Sequence, residues 1–380
     1  MTADAACRGI RDHDADGTIG LFTAEAHPPY ARPPLSKALW AGKDEDTIWR
    51  GTSDLGVEVH VRSTIASLDP ATHSVVDADG IEHTYERLLL ATGATPRRLS
   101  GVDGVIHFRT LDDFRRLRDE TGAGARVAVV GGGFIGSEIA AALAAAEADV
   151  TMLFPEDGIG ARIFPAALSA AVNDYYRERG VGVLSGELVA AVERREDEFT
   201  LRTRSGRSID ADAVVAGLGV VPETSLAETA GLGVDDGILV DEYGRARGHE
   251  DVFAAGDVAR FPVAALGGLR RVEHEDHANT HGRAVGANMA GAATPYDHLP
   301  FFYSDLFDLG YEAVGDADAR LETVAAWVEP NRKGVVGYVD DDGRARGFLL
   351  WDVWGKVDAA RELIAAGAPL DETVLQTLLD

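Results

Sequence analysis

Four apolar residues, Val127-Ala128-Val129-Val130, run into three consecutive glycines, and the chain then resumes as an alanine-rich helical pattern. Gly131-Gly132-Gly133-Phe134-Ile135-Gly136-Ser137-Glu138 reads as the end of a buried strand, a tight turn and a helix start. Glycines at these places let the backbone turn sharply and approach a pyrophosphate, while the helix N-terminus supplies N–H donors and partial positive charge. A lone G-x-G-x-x-G is weak evidence, but here it lies between strand and helix, where the chemistry needs it. Glu156 follows Gly136 by 20 residues, close to the end of the next apolar run, Val150 to Phe154. That is the spacing of the acid that bonds a nucleotide ribose. The bland alternative is a glycine turn that binds nothing.

The same plan recurs earlier in the chain. Thr18-Ile19-Gly20-Leu21-Phe22 resembles Val150-Thr151-Met152-Leu153-Phe154. A hairpin turning at Asp79-Gly80 leads into Leu88-Leu89-Leu90-Ala91-Thr92-Gly93, and one turning at Ser205-Gly206 leads into Val214-Val215-Ala216-Gly217-Leu218-Gly219. Two halves on one plan imply two nucleotide-binding domains. Aligning Phe22 with Phe154 shifts the numbering by 132 and puts the first-half equivalents of Gly131, Gly133 and Gly136 at −1, 1 and 4. Positions 1 and 4 are Met and Asp, so the sequence is expected to begin at or just past the first glycine loop.

A chain of 380 residues holds two or three domains. Its net charge of −27, with four lysines against thirty-two arginines, repels phosphate backbones and disfavours nucleic-acid binding. Adaptation to a salty interior and general solubility are both open readings of that charge. The single cysteine, Cys7, excludes an internal disulfide, and with it a redox-active dithiol. Cys7 lies in an alanine-rich, helical-looking segment and is expected to be a small core residue. There is no apolar leader and no stretch approaching a membrane span, so the chain reads as cytoplasmic.

A helix is expected over residues 2–13 and a strand at 18–22, followed by the proline-rich segment 28–37, which suits no regular element. Strands alternate through 56–92, a helix is expected at 110–120, and the second unit occupies 127–222. Val252 to Ala255 reads as a strand ending on Gly256-Asp257, and a helix begins near His274. After Pro300 strands are expected at 309–315, 323–328, 334–339 and 345–351, with a helix over about 356–367, giving a small α+β unit.

Several stretches in order resemble one family. They are Pro29-Tyr30-Ala31-Arg32-Pro33-Pro34-Leu35-Ser36-Lys37, Gly131 to Glu138, Leu153-Phe154-Pro155-Glu156, Ala255-Gly256-Asp257, Arg271-Val272-Glu273-His274, and Tyr303-Ser304-Asp305 through Gly310-Tyr311-Glu312. Together they resemble the FAD/NAD(P) pyridine nucleotide oxidoreductases, in particular the apoptosis-inducing-factor branch and its bacterial relatives. The resemblance implies an α/β fold with two Rossmann-like FAD/NAD(P)-binding domains and a small C-terminal α+β domain. The FAD domain would be interrupted, covering 1–100 and 220–300, with the NAD domain at 101–219 and the C-terminal domain at 301–380. It implies a flavoprotein that passes hydride from NADH to FAD and electrons onward to a quinone, oxygen, a metal complex or a small iron–sulfur protein. The alternative is an NAD(H)-responsive binding protein without FAD, motivated by the expected absence of the first-half glycine loop. A monomer or homodimer is expected, with no nucleic-acid or membrane partner.

The resemblance also assigns roles. Arg32 would face phosphate, and Lys37 would lie near the isoalloxazine, paired with Glu138. Arg109 would contact the flavin, Asp257 its ribityl chain, and Glu25 the adenosine ribose. Glu273 and His274 would lie near nicotinamide and flavin. Glu275 stands where the branch often has histidine, and Tyr303 where it often has tryptophan. Tyr303 and Glu312 would close over the re face. From the residues themselves, Glu156 favours NADH over NADPH, because a 2′-phosphate would be repelled, while nearby Arg162 works against that preference. Gly219, mirroring Gly93, would let nicotinamide approach. His277 and His281 have the i, i+4 spacing of helical zinc ligands, but no further ligand motif accompanies them and no metal is expected.

Overall fold

The computed structural model describes residues 1–367 and 369–379; the expected C-terminal domain also includes residues 368 and 380, which lie outside the described residues. The chain divides into two compact units. One comprises Met1–Arg32, Glu45–Thr95 and Val221–Pro300; the other comprises Pro33–Asp44, Pro96–Val220 and Phe301–Asp380.

In the second unit, a five-stranded parallel sheet runs in the order Gly182–Ser185, Asp149–Phe154, Arg126–Val130, Ala213–Ala216, Ile106–His107. The central strand carries the apolar run read from the sequence, and Val127 to Val130 are all buried, as a strand covered on both faces requires. The helix Phe134–Ala145 starts directly after the glycines and buries Ile139, Ala140 and Leu143. The helix Leu111–Glu120 opens on a capping box in which Thr110 and Asp113 satisfy each other's backbone N–H groups.

The C-terminal part is an antiparallel sheet ordered Phe301–Leu306, Leu309–Gly315, Ala345–Trp351, Lys333–Val339, Glu322–Glu329. Phe164, in the loop after the strand Asp149–Phe154, packs its ring edge-on against Tyr311 and Trp351, which stack on each other within this sheet. The strand Phe301–Leu306 and the helix Glu372–Leu379 were not expected from the sequence; the helix Val357–Ala366 was.

In the first unit, Gly20–Thr23 pairs in parallel with Glu58–Val61, and Leu88–Leu90 pairs in parallel with Val252–Ala254. By the internal repeat these are the outer pairs of the five-stranded sheet. Among the described residues no strand joins them in the place that Arg126–Val130 takes in the other unit. The helices Thr2–Arg11 and Glu275–Met289 pack backbone to backbone through Gly9 and Gly286. A Cβ at either would come within 2.0 Å of a carbonyl oxygen of the opposite helix, so no larger side chain fits. Cys7 is buried with Leu21 and Val57. Among the described residues no helix is long and apolar enough to cross a membrane.

Candidate functional site

The second unit contains a buried ion pair. Glu138, one turn into the glycine-loop helix Phe134–Ala145, is 4% exposed and pairs with the Lys37 ammonium. Ser36 Oγ donates to its Oε2 at 2.5 Å, and Ser304 Oγ donates to its Oε1 at 2.6 Å. Three side chains from two segments far apart in sequence thus satisfy one carboxylate, which is what a buried charge requires. Lys37 Nζ also lies 5.3 Å from the centroid of the Tyr303 ring, in cation–π range. Tyr303 sits opposite Glu312 across two antiparallel strands. Glu312 accepts the Gly355 N–H at 3.3 Å, and burial raises its pKa. Sequence reasoning gave no role to Ser36 or Ser304, although both lie inside the stretches that carried the resemblance.

The glycine loop shows two different demands on its residues. A Cβ at Gly136 would stand 2.1 Å from the Gly131 carbonyl oxygen, and one at Gly131, where φ is +120°, would stand 2.3 Å from that of Gly217. Gly132 faces the Phe154 ring at 2.8 Å on the same test. At Gly133, the N-cap, a Cβ would meet nothing within 4 Å, so the loop opens there in front of the helix N-terminus. Phe134 and Ile135 begin the helix; Ile135 is 39% exposed, and the Phe134 ring packs edge-on against Phe302. Glu156 follows the strand Asp149–Phe154, with the exposed Arg162 guanidinium 3.6 Å from its carboxylate. Gly219 has φ +79° and open space around its Cα. Arg109 precedes the helix Leu111–Glu120, and its backbone N–H donates to Asp113 at 3.1 Å.

The first unit gathers the remaining expected residues. Glu25 accepts from both the Arg32 guanidinium and the Tyr30 hydroxyl, while Arg32 Nη1 donates to the Tyr30 hydroxyl at 3.1 Å. Tyr30 is a member of this cluster that sequence reasoning did not single out. Asp257 is buried in the short turn Gly256–Val258 that follows the strand Val252–Ala254. Arg271 Nη1 donates to the Asp257 carbonyl at 3.4 Å and also pairs with Glu273. His274 is the N-cap of the helix Glu275–Met289, and Glu275 is its first residue. Burial lowers the His274 pKa to about 4, with Asp257 and Asp276 opposing the shift. His277 and His281 stack on each other rather than converging on a point, and among the described residues no three His, Cys, Asp or Glu side chains form a metal-binding group.

A family model for pyridine nucleotide-disulphide oxidoreductase matches residues 4–282, and one for the apoptosis-inducing factor C-terminal region matches residues 285–332. The chain belongs to the pyridine nucleotide-disulphide oxidoreductase family. It is 33% identical to apoptosis-inducing factor 1, mitochondrial, of Dictyostelium discoideum, over 93% of this chain and 75% of that protein. It is 35% identical to the 5,5'-dehydrodivanillate O-demethylase ferredoxin reductase subunit of a Sphingobium species, over 87% of this chain and 83% of that one. Among solved structures it resembles the reductase in a covalent putidaredoxin reductase–putidaredoxin complex, with TM-score 0.91 and 27% identity over 98% of this chain and 93% of that chain.

The family is FAD- and NAD(P)H-dependent, and the chain is accordingly an oxidoreductase of that class. Its residues fit both groups. The open face at Gly133, ahead of a helix N-terminus, leaves the room and offers the donors that a pyrophosphate would need. In the first unit, Arg32 offers a cation, and Glu25 and Asp257 offer carboxylates suited to ribose and ribityl hydroxyls.

Proposed function

We propose that the chain takes hydride from NADH and delivers electrons to a small iron–sulfur protein. The nicotinamide supplies the hydride, and the flavin, when bound, accepts it and releases electrons. The protein's part is placement and charge. The Gly131 to Gly136 loop would hold the NADH pyrophosphate, Glu156 would bond the adenosine ribose and repel a 2′-phosphate, and Gly219 would leave room for the nicotinamide. Arg32, Glu25 and Asp257 would hold the FAD backbone, with Arg109, Glu273, His274 and Glu275 at its other contacts. Lys37, fixed by Glu138, would place a positive charge where negative charge grows on reduction, and Tyr303 and Glu312 would cover the other face.

The observation that carries this reading is the Lys37–Glu138 pair. Two serine hydroxyls complete the hydrogen bonding of a carboxylate that is almost wholly buried, and this fixes the ammonium in one place. An iron–sulfur acceptor is favoured because the relatives include proteins named as ferredoxin reductases. The single buried cysteine leaves no dithiol to act as an internal acceptor.

The test is a visible absorption spectrum of the purified chain with FAD, taken anaerobically before and after NADH. Flavin bands that bleach support the reading. A protein that binds NADH but never acquires flavin bands would replace it with the NAD(H)-responsive binding protein. Reduction of a ferredoxin faster than of a quinone or of oxygen, in the same assay, then fixes the acceptor class.

A further inference from the structure

The helix Glu275–Met289 buries two imidazoles that the proposed mechanism does not use. His277 is fully buried and His281 is 1% exposed, and among the described residues the Nε2 atom of each has no hydrogen-bond partner. Two buried, half-satisfied rings are costly unless they secure something. His281 Nδ1 accepts the backbone N–H of Gly256 at 3.3 Å. We propose that His281 is a positioning residue for FAD, a fixed neutral acceptor that holds the Gly256–Asp257 turn and so aims the Asp257 carboxylate. The proposal rests on the reading of Asp257 as a flavin-side residue.

Gly256 adopts φ +73°, a conformation that side-chain-bearing residues rarely adopt. Its N–H is buried and needs an acceptor, and rotation of that N–H away from His281 would swing Asp257 with it. The acceptor is itself packed among three rings. The His281 ring lies 4.7 Å from that of His277, 4.9 Å from Phe261 and 4.6 Å from Tyr296, centroid to centroid. Because Nδ1 accepts, the proton of the neutral ring belongs on Nε2, a tautomer assigned from this hydrogen bond. On the other side, a Cβ at Gly256 would meet Thr2 Oγ1 at 2.2 Å, so the turn is held between the helix Thr2–Arg11 and the imidazole. The low His281 pKa, about 3 through burial, agrees with a ring that stays an acceptor at all working pH values.

The experiment measures FAD dissociation constants and visible circular dichroism of the bound flavin for the full chain and its variants. His281→Phe keeps the aromatic stack and removes the acceptor. His281→Asn restores an acceptor near Nδ1. We expect His281→Phe to weaken FAD binding at least about tenfold and to alter the flavin dichroism, with His281→Asn within roughly threefold of wild type. In an Asp257→Ala background, His281→Phe should then add little, because the two residues act as one unit. If His281→Phe does not fold, His281→Leu, close to Asn in size, takes its place in the comparison. Equal affinities for the acceptor-free and Asn variants, or full additivity with Asp257→Ala, would overturn the proposal. A wild-type chain that binds no FAD would instead overturn the functional reading beneath it.

Discussion

Glu138 holds a carboxylate at a place almost closed to water, and everything around it answers to that. Lys37→Met removes the cation and leaves a buried carboxylate with only two hydroxyl donors. We expect a loss of about 3–5 kcal/mol, read as a fall in unfolding midpoint, with much of it recovered in Lys37→Met/Glu138→Leu. Lys37 and Glu138 stand 101 positions apart, and no local pattern in the sequence links them. The pairing was legible through family resemblance alone. Ser36 and Ser304 were not legible, because a hydroxyl beside a proline turn or within a strand carries no periodic signal. Glu156 belongs to the same scale. Its place after a strand was readable from spacing, and Glu156→Gln should raise the ratio of kcat/KM for NADPH over NADH by about tenfold in steady-state assays.

At the scale of elements, the glycine loop separates folding from binding. Gly136→Ala drives a Cβ into the Gly131 carbonyl and should lower the melting temperature. Gly133→Ala meets nothing in the protein, so melting should be unchanged while NADH affinity falls at least about tenfold by titration. The helix Glu275–Met289 carries a pH dependence. Burial lowers the His277 pKa well below its ordinary value and that of His281 to about 3, so between roughly pH 6.5 and 3 the unfolded chain binds more protons than the folded one. Stability is therefore greatest above the unfolded pKa and is lost on acidification. A fall in melting temperature of about 5–10 °C from pH 7 to pH 5 is expected by calorimetry, and it should shrink in His277→Asn/His281→Asn. The strand Arg126–Val130 was legible because both its faces are covered and Val127 to Val130 are apolar without a break. The helix Glu372–Leu379 went unread because it is short and shows only two buried positions, Leu375 and Leu378, although Asp371 caps it through the Val374 N–H. The edge strand Phe301–Leu306 opens on three aromatic residues, which blur the alternation that marks a half-buried strand.

For the whole molecule, charge is the dominant property. A net charge of −27 opposes approach by an acidic ferredoxin, so NADH-driven ferredoxin reduction should accelerate as salt rises from about 10 mM to 200 mM. Slowing over that range would reveal a local basic patch that guides the partner. The repeat of one plan in two halves was legible in the sequence at this scale, while the grouping of Pro33–Asp44 with the second unit was not, since it depends on where the Lys37 segment packs. The lone thiol has a different consequence. Cys7 is buried, and burial pushes its pKa up to about 11, so under ordinary conditions it should be inert to maleimides and gold. Any cysteine engineered onto the surface would be the molecule's one addressable handle. The protein could then be fixed to an electrode in a single chosen orientation, and its current read directly.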